Sequence, residues 1–284
     1  MTASATDHPG TAAGRRAAPA PAAPPRTRAF RRAVAMEWTK LASVRTTWWC
    51  LGLGFATMIA FGLLMGFSAA DRIADDPAAA GTFSYSQVTS QGVFYLVQFI
   101  VLILAALAAT NEYANRGVTT TLLAVPQRGR VLAARALVTA GLGFVAGAVT
   151  TALGIAAVRV VIGPYAPLHA DYALTTVLGS GLCMALFAVL FVGLGTALRG
   201  TAGTIGLGFL LLLGVPLVLQ LSGVQALNDA AAYFPGIAGI EFYAAGDVGF
   251  YTAPHDGPIN LAVVVGWAAA AMIVGWTELR LRDA

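Results

Sequence analysis

Apolar positions along this chain fall into six long blocks separated by polar stretches. The blocks run at about 48–70, 92–110, 136–162, 174–198, 204–223 and 259–276. Crossing roughly 30 Å of hydrocarbon at 1.5 Å per residue takes about 20 residues, so each block predicts one membrane-spanning helix. The third is long enough to tilt or protrude. A helix satisfies its own backbone polar groups within one segment, and no stretch alternates with the period of two that a membrane β-barrel requires. The expected fold is all-α and integral to a membrane, with six spans over residues 47–284.

Two segments ahead of the first block read differently. Residues 1–28 are Ala, Pro, Gly and Arg in low-complexity order, lack periodic apolar positions and are expected to be disordered. They also lack the apolar stretch of a cleavable signal peptide. Within 29–46, Phe30, Val34, Trp38, Leu41 and Val44 recur at spacings of four, four, three and three, which is one face of a helix. Arg31, Arg32, Lys40 and Arg45 supply positive charge, with Glu37 among them. A basic amphipathic helix carrying a Trp on its apolar side is suited to lie along a membrane surface. The alternative is a cytosolic helix packed on another element.

Composition supports the membrane assignment. Hydrophobic residues make up 58% of the 284, charged residues only 11%, and the mean hydropathy is +0.75. A soluble domain carries roughly 25% charged residues, and a disordered chain would be less hydrophobic and more charged. Cys50 and Cys183 lie inside apolar runs, and His8, His169 and His255 are scattered, so neither a disulfide framework nor a metal cluster is expected, and no cofactor. One lysine against sixteen arginines, with abundant Ala and Gly, is the usage of a GC-rich bacterial genome.

Charge placement predicts orientation. If the chain crosses six times, 15 of its 17 basic residues fall on one side and only Arg72 and Arg159 on the other. The positive-inside rule then places both termini in the cytoplasm of a multi-pass protein of the bacterial plasma (inner) membrane. The outer segments hold Asp71, Asp75, Asp76, Asp171, Asp229, Glu241, Asp247 and Asp256.

Enzyme machinery is missing from the pattern. A phosphate-binding loop needs a lysine after a glycine-rich turn, and the single lysine, Lys40, follows Glu37-Trp38-Thr39. Gly179-Ser180-Gly181 lacks the spacing of a nucleophile elbow and has no intramembrane histidine as base. Gly246-Asp247 has no carboxylate partner in lipid. The apolar centres of the spans hold no ionisable residue, which disfavours an ion-coupled transporter. Arg159 is placed to snorkel to the headgroups; contact with a substrate is the alternative. Gln98, Thr150, Thr151 and Ser180 are expected to bond between helices, and Gly62/Gly66 and Gly143/Gly147 to permit close helix approach.

The loop after the second block is the most informative segment. Gly117 can end one helical run, Val118 to Val125 can form a short surface helix, and Pro126 stops it, with Arg128, Arg130 and Arg135 leading into the third block. Residue physics alone leaves two readings open: a rigid element that transmits a push from a soluble partner, or a surface connector.

This pattern resembles the permease subunits of type-2 ABC transporters, the ABC-2-like exporters, in actinobacterial-like form. Glu112-Tyr113 at the end of the second block, then Gly117, Thr119, Thr120, Thr121, Leu122, Leu123, Pro126, Arg128, Arg130 and Arg135, carry the resemblance. The segments Glu37-Trp38-Thr39-Lys40-Leu41 and Arg45-Thr46-Thr47-Trp48 are similar to the family's surface helix running into span one. Tyr233-Phe234-Pro235-Gly236 is similar to its re-entrant outer hairpin between spans five and six. The resemblance covers about residues 29–282; residues 1–28 have no counterpart, and Arg135 stands where the family often has Lys. It implies a pathway-forming permease without enzymatic activity of its own, working with a separate P-loop ATPase subunit and a second permease copy or paralogue in the lipid bilayer, and with no nucleic acid. In that reading Val118–Val125 docks on the ATPase, with Glu112 and Tyr113 at its base. The rivals are an ATP-independent secondary transporter or channel, and a non-transporting membrane anchor or assembly protein.

Overall fold

Each apolar block folds as one helical span in the computed structural model, which describes residues 26–114, 128–163, 165–244 and 255–281. All regular elements among the described residues are helical. Six helices are long and apolar enough to cross a membrane: Arg45–Asp75, Tyr85–Asn111, Gly129–Ile162, Ala170–Leu198, Thr201–Leu221 and Gly257–Leu281. The chain is a multi-pass membrane protein.

Most spans extend past the apolar blocks because polar residues continue the helices. Span two begins at Tyr85, seven residues ahead of its apolar block, because Ser84 caps it by accepting the Gln87 N–H at 3.2 Å. The helix expected over 29–46 runs from Arg26 to Ser43, so residues 26–28 belong to it and not to the tail. It breaks at Val44, whose backbone is extended, and span one starts at Arg45. Trp48 fixes this elbow by donating its indole N–H to the Ala42 carbonyl at 2.9 Å. Residues 1–25 lie outside the described part.

Span four sits at the centre. Spans three, six and two pack on it, and span one packs on span three. The core joins Met58, Phe94, Met184, Phe187, Phe191, Leu212, Ile237, Ile240, Tyr243 and Val264. The small-residue pairs work inside the chain. A Cβ at Gly62 would stand 3.0 Å from the Gly154 carbonyl of span three, and one at Gly143 would stand 2.8 Å from the Met184 carbonyl of span four. Spans one, five and six are buried for 28%, 22% and 28% of their apolar windows, against 61% for spans two and four, leaving apolar faces on the outside of the bundle.

Spans two and five each contain one π turn, at Val93–Val97 and Leu210–Gly214. In the first, the Gln98 N–H bonds to the Val93 carbonyl, and the Gln98 side-chain amide donates to the Phe94 carbonyl. This buried glutamine therefore serves its own helix, whereas Thr151 and Ser180 do join spans three and four, with hydroxyl oxygens 2.6 Å apart. Thr150 donates to Ala146 in its own span. Arg159 is exposed one turn before the end of span three.

Between spans five and six lies a short helix, Pro235–Tyr243, that runs antiparallel to the first part of span six. Next to its start, Phe234 stacks on Trp267 at 6.1 Å, and Trp267 donates to the Tyr233 carbonyl at 2.9 Å. Its last turn lies near Gly257, which faces Phe242. Gly236 makes this packing possible: a Cβ there would overlap the Leu212 carbonyl.

Candidate functional site

The loop singled out in the sequence falls largely outside the described residues: Gly117, Thr119, Thr120, Thr121, Leu122, Leu123 and Pro126 all lie in 115–127. Its two roots are described. Glu112 and Tyr113 sit in the last turn of the helix Gln98–Ala114, and Arg128 is the first residue of the span-three helix. Arg130 is half-buried.

Close to these roots the structure builds a buried ionic clamp. Arg135, 5% exposed and two turns into span three, donates from Nε to Oε2 of Glu37 at 3.1 Å. It also donates from Nη1 to the Ala109 carbonyl of span two at 3.3 Å. Glu37 is 4% exposed, and its other oxygen, Oε1, accepts from Lys40 Nζ at 2.8 Å. One carboxylate thus meets two cations. A single guanidinium fastens the surface helix to spans two and three at once. Arg suits the position because its planar fork serves a carboxylate and a carbonyl together.

The next residue along span two extends the assembly. Thr110 is buried, donates to the Ala106 carbonyl at 2.8 Å, and lies 2.6 Å, oxygen to oxygen, from the Thr201 hydroxyl at the start of span five. Consecutive residues at the base of the loop, Ala109 and Thr110, are therefore tied to the surface helix, span three and span five. On the far side of span three, Gly129 packs on the Trp276 ring of span six, where Arg280 stacks at 4.4 Å from the ring centre. Gly129, Leu132, Ala133, Met272 and Trp276 border an open apolar cleft of about 250 Å³.

Of the surface-helix residues, Phe30, Val34 and Leu41 are half-buried, while Trp38 and Val44 are exposed. The fully covered positions are Ala33 and Glu37. By periodicity Glu37 is one charge on a basic helix. A signal was present: Glu37 follows Phe30 by seven and Val34 by three, inside the apolar stripe, where an acid needs a cation. Its partner is 98 residues away, beyond the reach of local periodicity.

Ser180, flanked by glycines, bonds to Thr151 and to the Val177 carbonyl, an interhelical link and not a nucleophile with its base. The arrangement at the arginine-rich end holds the first helix and spans two, three and five together.

The sequence model of a family described as ABC-2 family transporter protein matches residues 33–215, more than half of the chain. The match takes in Glu37, Arg135, Thr110 and Thr201 and ends before the short helix that precedes span six. No curated protein matches the sequence.

Proposed function

Because the chain belongs to the ABC-2 family of transporters, and so is an ABC transporter permease subunit, we propose that it forms the translocation pathway of an exporter whose ATP hydrolysis resides on a separate P-loop ATPase subunit. Two permease copies, or this chain and a paralogue, pair in the bacterial plasma membrane with both termini in the cytoplasm. The segment Val118–Val125 docks on the ATPase, with Glu112 and Tyr113 at the root of its loop, and the helix Arg26–Ser43 rests at the membrane interface. The helix Pro235–Tyr243 is the re-entrant hairpin at the outer end of the pathway.

The observation that carries this reading is the clamp Glu37–Arg135–Ala109. ATP binding can drive transport only by favouring one permease conformation over another. A push on the loop must therefore reach several helices as one displacement. Arg135 lies two turns into the helix that follows the loop and is bonded to both the first helix and span two. The surface helix, span two and span three then move as a unit relative to spans five and six, across the link between Thr110 and Thr201.

The test is purification of the full chain from its own cells in mild detergent. Recovery of an ATPase whose hydrolysis rate is raised in the complex supports the proposal. Substrate movement in vesicles driven by an ion gradient without ATP would favour the secondary transporter.

A further inference from the structure

The short helix Pro235–Tyr243 buries a carboxyl group for which the permease reading has no use. Glu241 is 8% exposed, and among the described residues neither of its carboxyl oxygens meets the geometry of a hydrogen bond. Its polar neighbour is Asn260, in the first turn of span six. Asn260 is 1% exposed, donates its amide to the His255 carbonyl at 3.2 Å, and leaves its own Oδ1 without a donor. Three buried oxygens at one helix contact, two on Glu241 and one on Asn260, thus lack donors. An ionised carboxylate here is a largely desolvated charge without a counter-ion among the described residues, a costly arrangement. One proton removes the charge and supplies the donor that these oxygens lack.

Among the described residues, the surroundings offer the carboxylate the Asn260 amide and no cation. The elements packed on this helix are span six, span four, the π turn of span five and the first turns of span two. Their titratable and charged groups are Asp171, Tyr172 and Cys183 on span four, Tyr85 on span two, and Glu278 and Arg280 at the far end of span six. His255 and Asp256 precede span six, and Tyr243 lies on the helix itself; the π turn contributes none. Asp247 and Tyr251 fall in 245–254, outside the described residues. Burial raises the Glu241 carboxyl from 4.5 to about 7, Asn260 acts in the opposite sense, and no charged side chain contributes.

We propose that Glu241 is a proton-binding site that fastens the helix Pro235–Tyr243 to the first turn of span six. The step is an acid dissociation: the O–H bond breaks, its electron pair stays on the carboxylate, and the proton passes to water. The site goes beyond the transport reading and does not depend on it. Because the folded chain holds its proton more tightly than the unfolded one, stability falls as pH climbs from the ordinary carboxylate range to about 7 and levels off above that.

The experiment is infrared difference spectroscopy of the full chain in lipid nanodiscs, titrated in pH, beside the variant Glu241→Gln, with thermal unfolding recorded on both. A protonated-carboxyl band is expected in the wild type, lost with a midpoint near 7 and absent from the variant. The melting temperature should fall over the same window in the wild type alone. No such band under mildly acidic conditions, or a midpoint in the ordinary carboxylate range, overturns the proposal. Should Glu241→Gln fail to fold, Asn260→Asp serves instead. Two carboxyls sharing one proton must shift the midpoint upward, and an unmoved midpoint overturns the assignment.

Discussion

Replacing Arg135 by Met removes the guanidinium that reaches Glu37 and the Ala109 carbonyl, while keeping an unbranched side chain. Glu37 then stays buried with Lys40 alone, and Lys40 is 38% exposed on its side chain and competes with water for the contact. Breaking one side of a buried ion pair costs about 3–5 kcal/mol, because the remaining charge is left without compensation. The lost bond to Ala109 adds about 1 kcal/mol. Glu37→Met should cost a similar amount, since the buried Arg135 then loses its Glu37 carboxylate. Replacing both residues by Met removes both charges and should return most of the stability, leaving a coupling energy of about 3 kcal/mol in the double-mutant cycle. The assay is reversible unfolding of the four proteins in mixed micelles, followed by the rate of ATP hydrolysis when each is reconstituted with the proposed ATPase subunit. The double variant should be stable yet fail to raise hydrolysis, which separates holding the fold from transmitting motion. Single variants whose costs simply add in the double variant would refute the clamp.

Other outcomes follow from the same geometry. Gly236→Ala places a methyl group into the Leu212 carbonyl and should destabilise the chain by roughly 1–3 kcal/mol or more, read as a lower melting temperature. Thr151→Val removes the bond to Ser180 and should cost only about 0.6 kcal/mol, the usual worth of an interhelical hydrogen bond in a membrane. Glu112→Ala, and charge reversal at Arg128 and Arg130, should reduce ATPase activation while leaving membrane insertion unchanged, as measured by hydrolysis rate and by membrane fractionation; full activation in both would remove these residues from the coupling path.

Hydropathy made the six spans legible because the bilayer imposes a length on each of them, and that constraint is local. The break at Val44 was not legible, since no proline or glycine marks it. The π turns were hidden for a related reason: Gln98 reads as a generic polar residue until its side chain is seen to bond the carbonyl one turn back. Gly62/Gly66 and Gly143/Gly147 were legible as contact surfaces but not as to partner, which turned out to lie within the chain. The clamp was half legible. Arg135 stood out as the basic residue opening span three, but its pairing with Glu37 is a property of the tertiary fold. Charge placement puts Glu241 with the acids of the outer segments, and a short interrupted apolar segment does not reveal what it buries.

The central claim, that this permease takes its drive from a separate ATPase through the loop between spans two and three, is tested most directly by placing a single photo-crosslinking residue at Leu122 in the full-length chain. Irradiation in cells should yield an adduct with a nucleotide-hydrolysing protein, and its abundance should change when ATP is depleted. An adduct at Leu122 containing only lipid or a second copy of this chain, from cells in which substrate still moves, would contradict it.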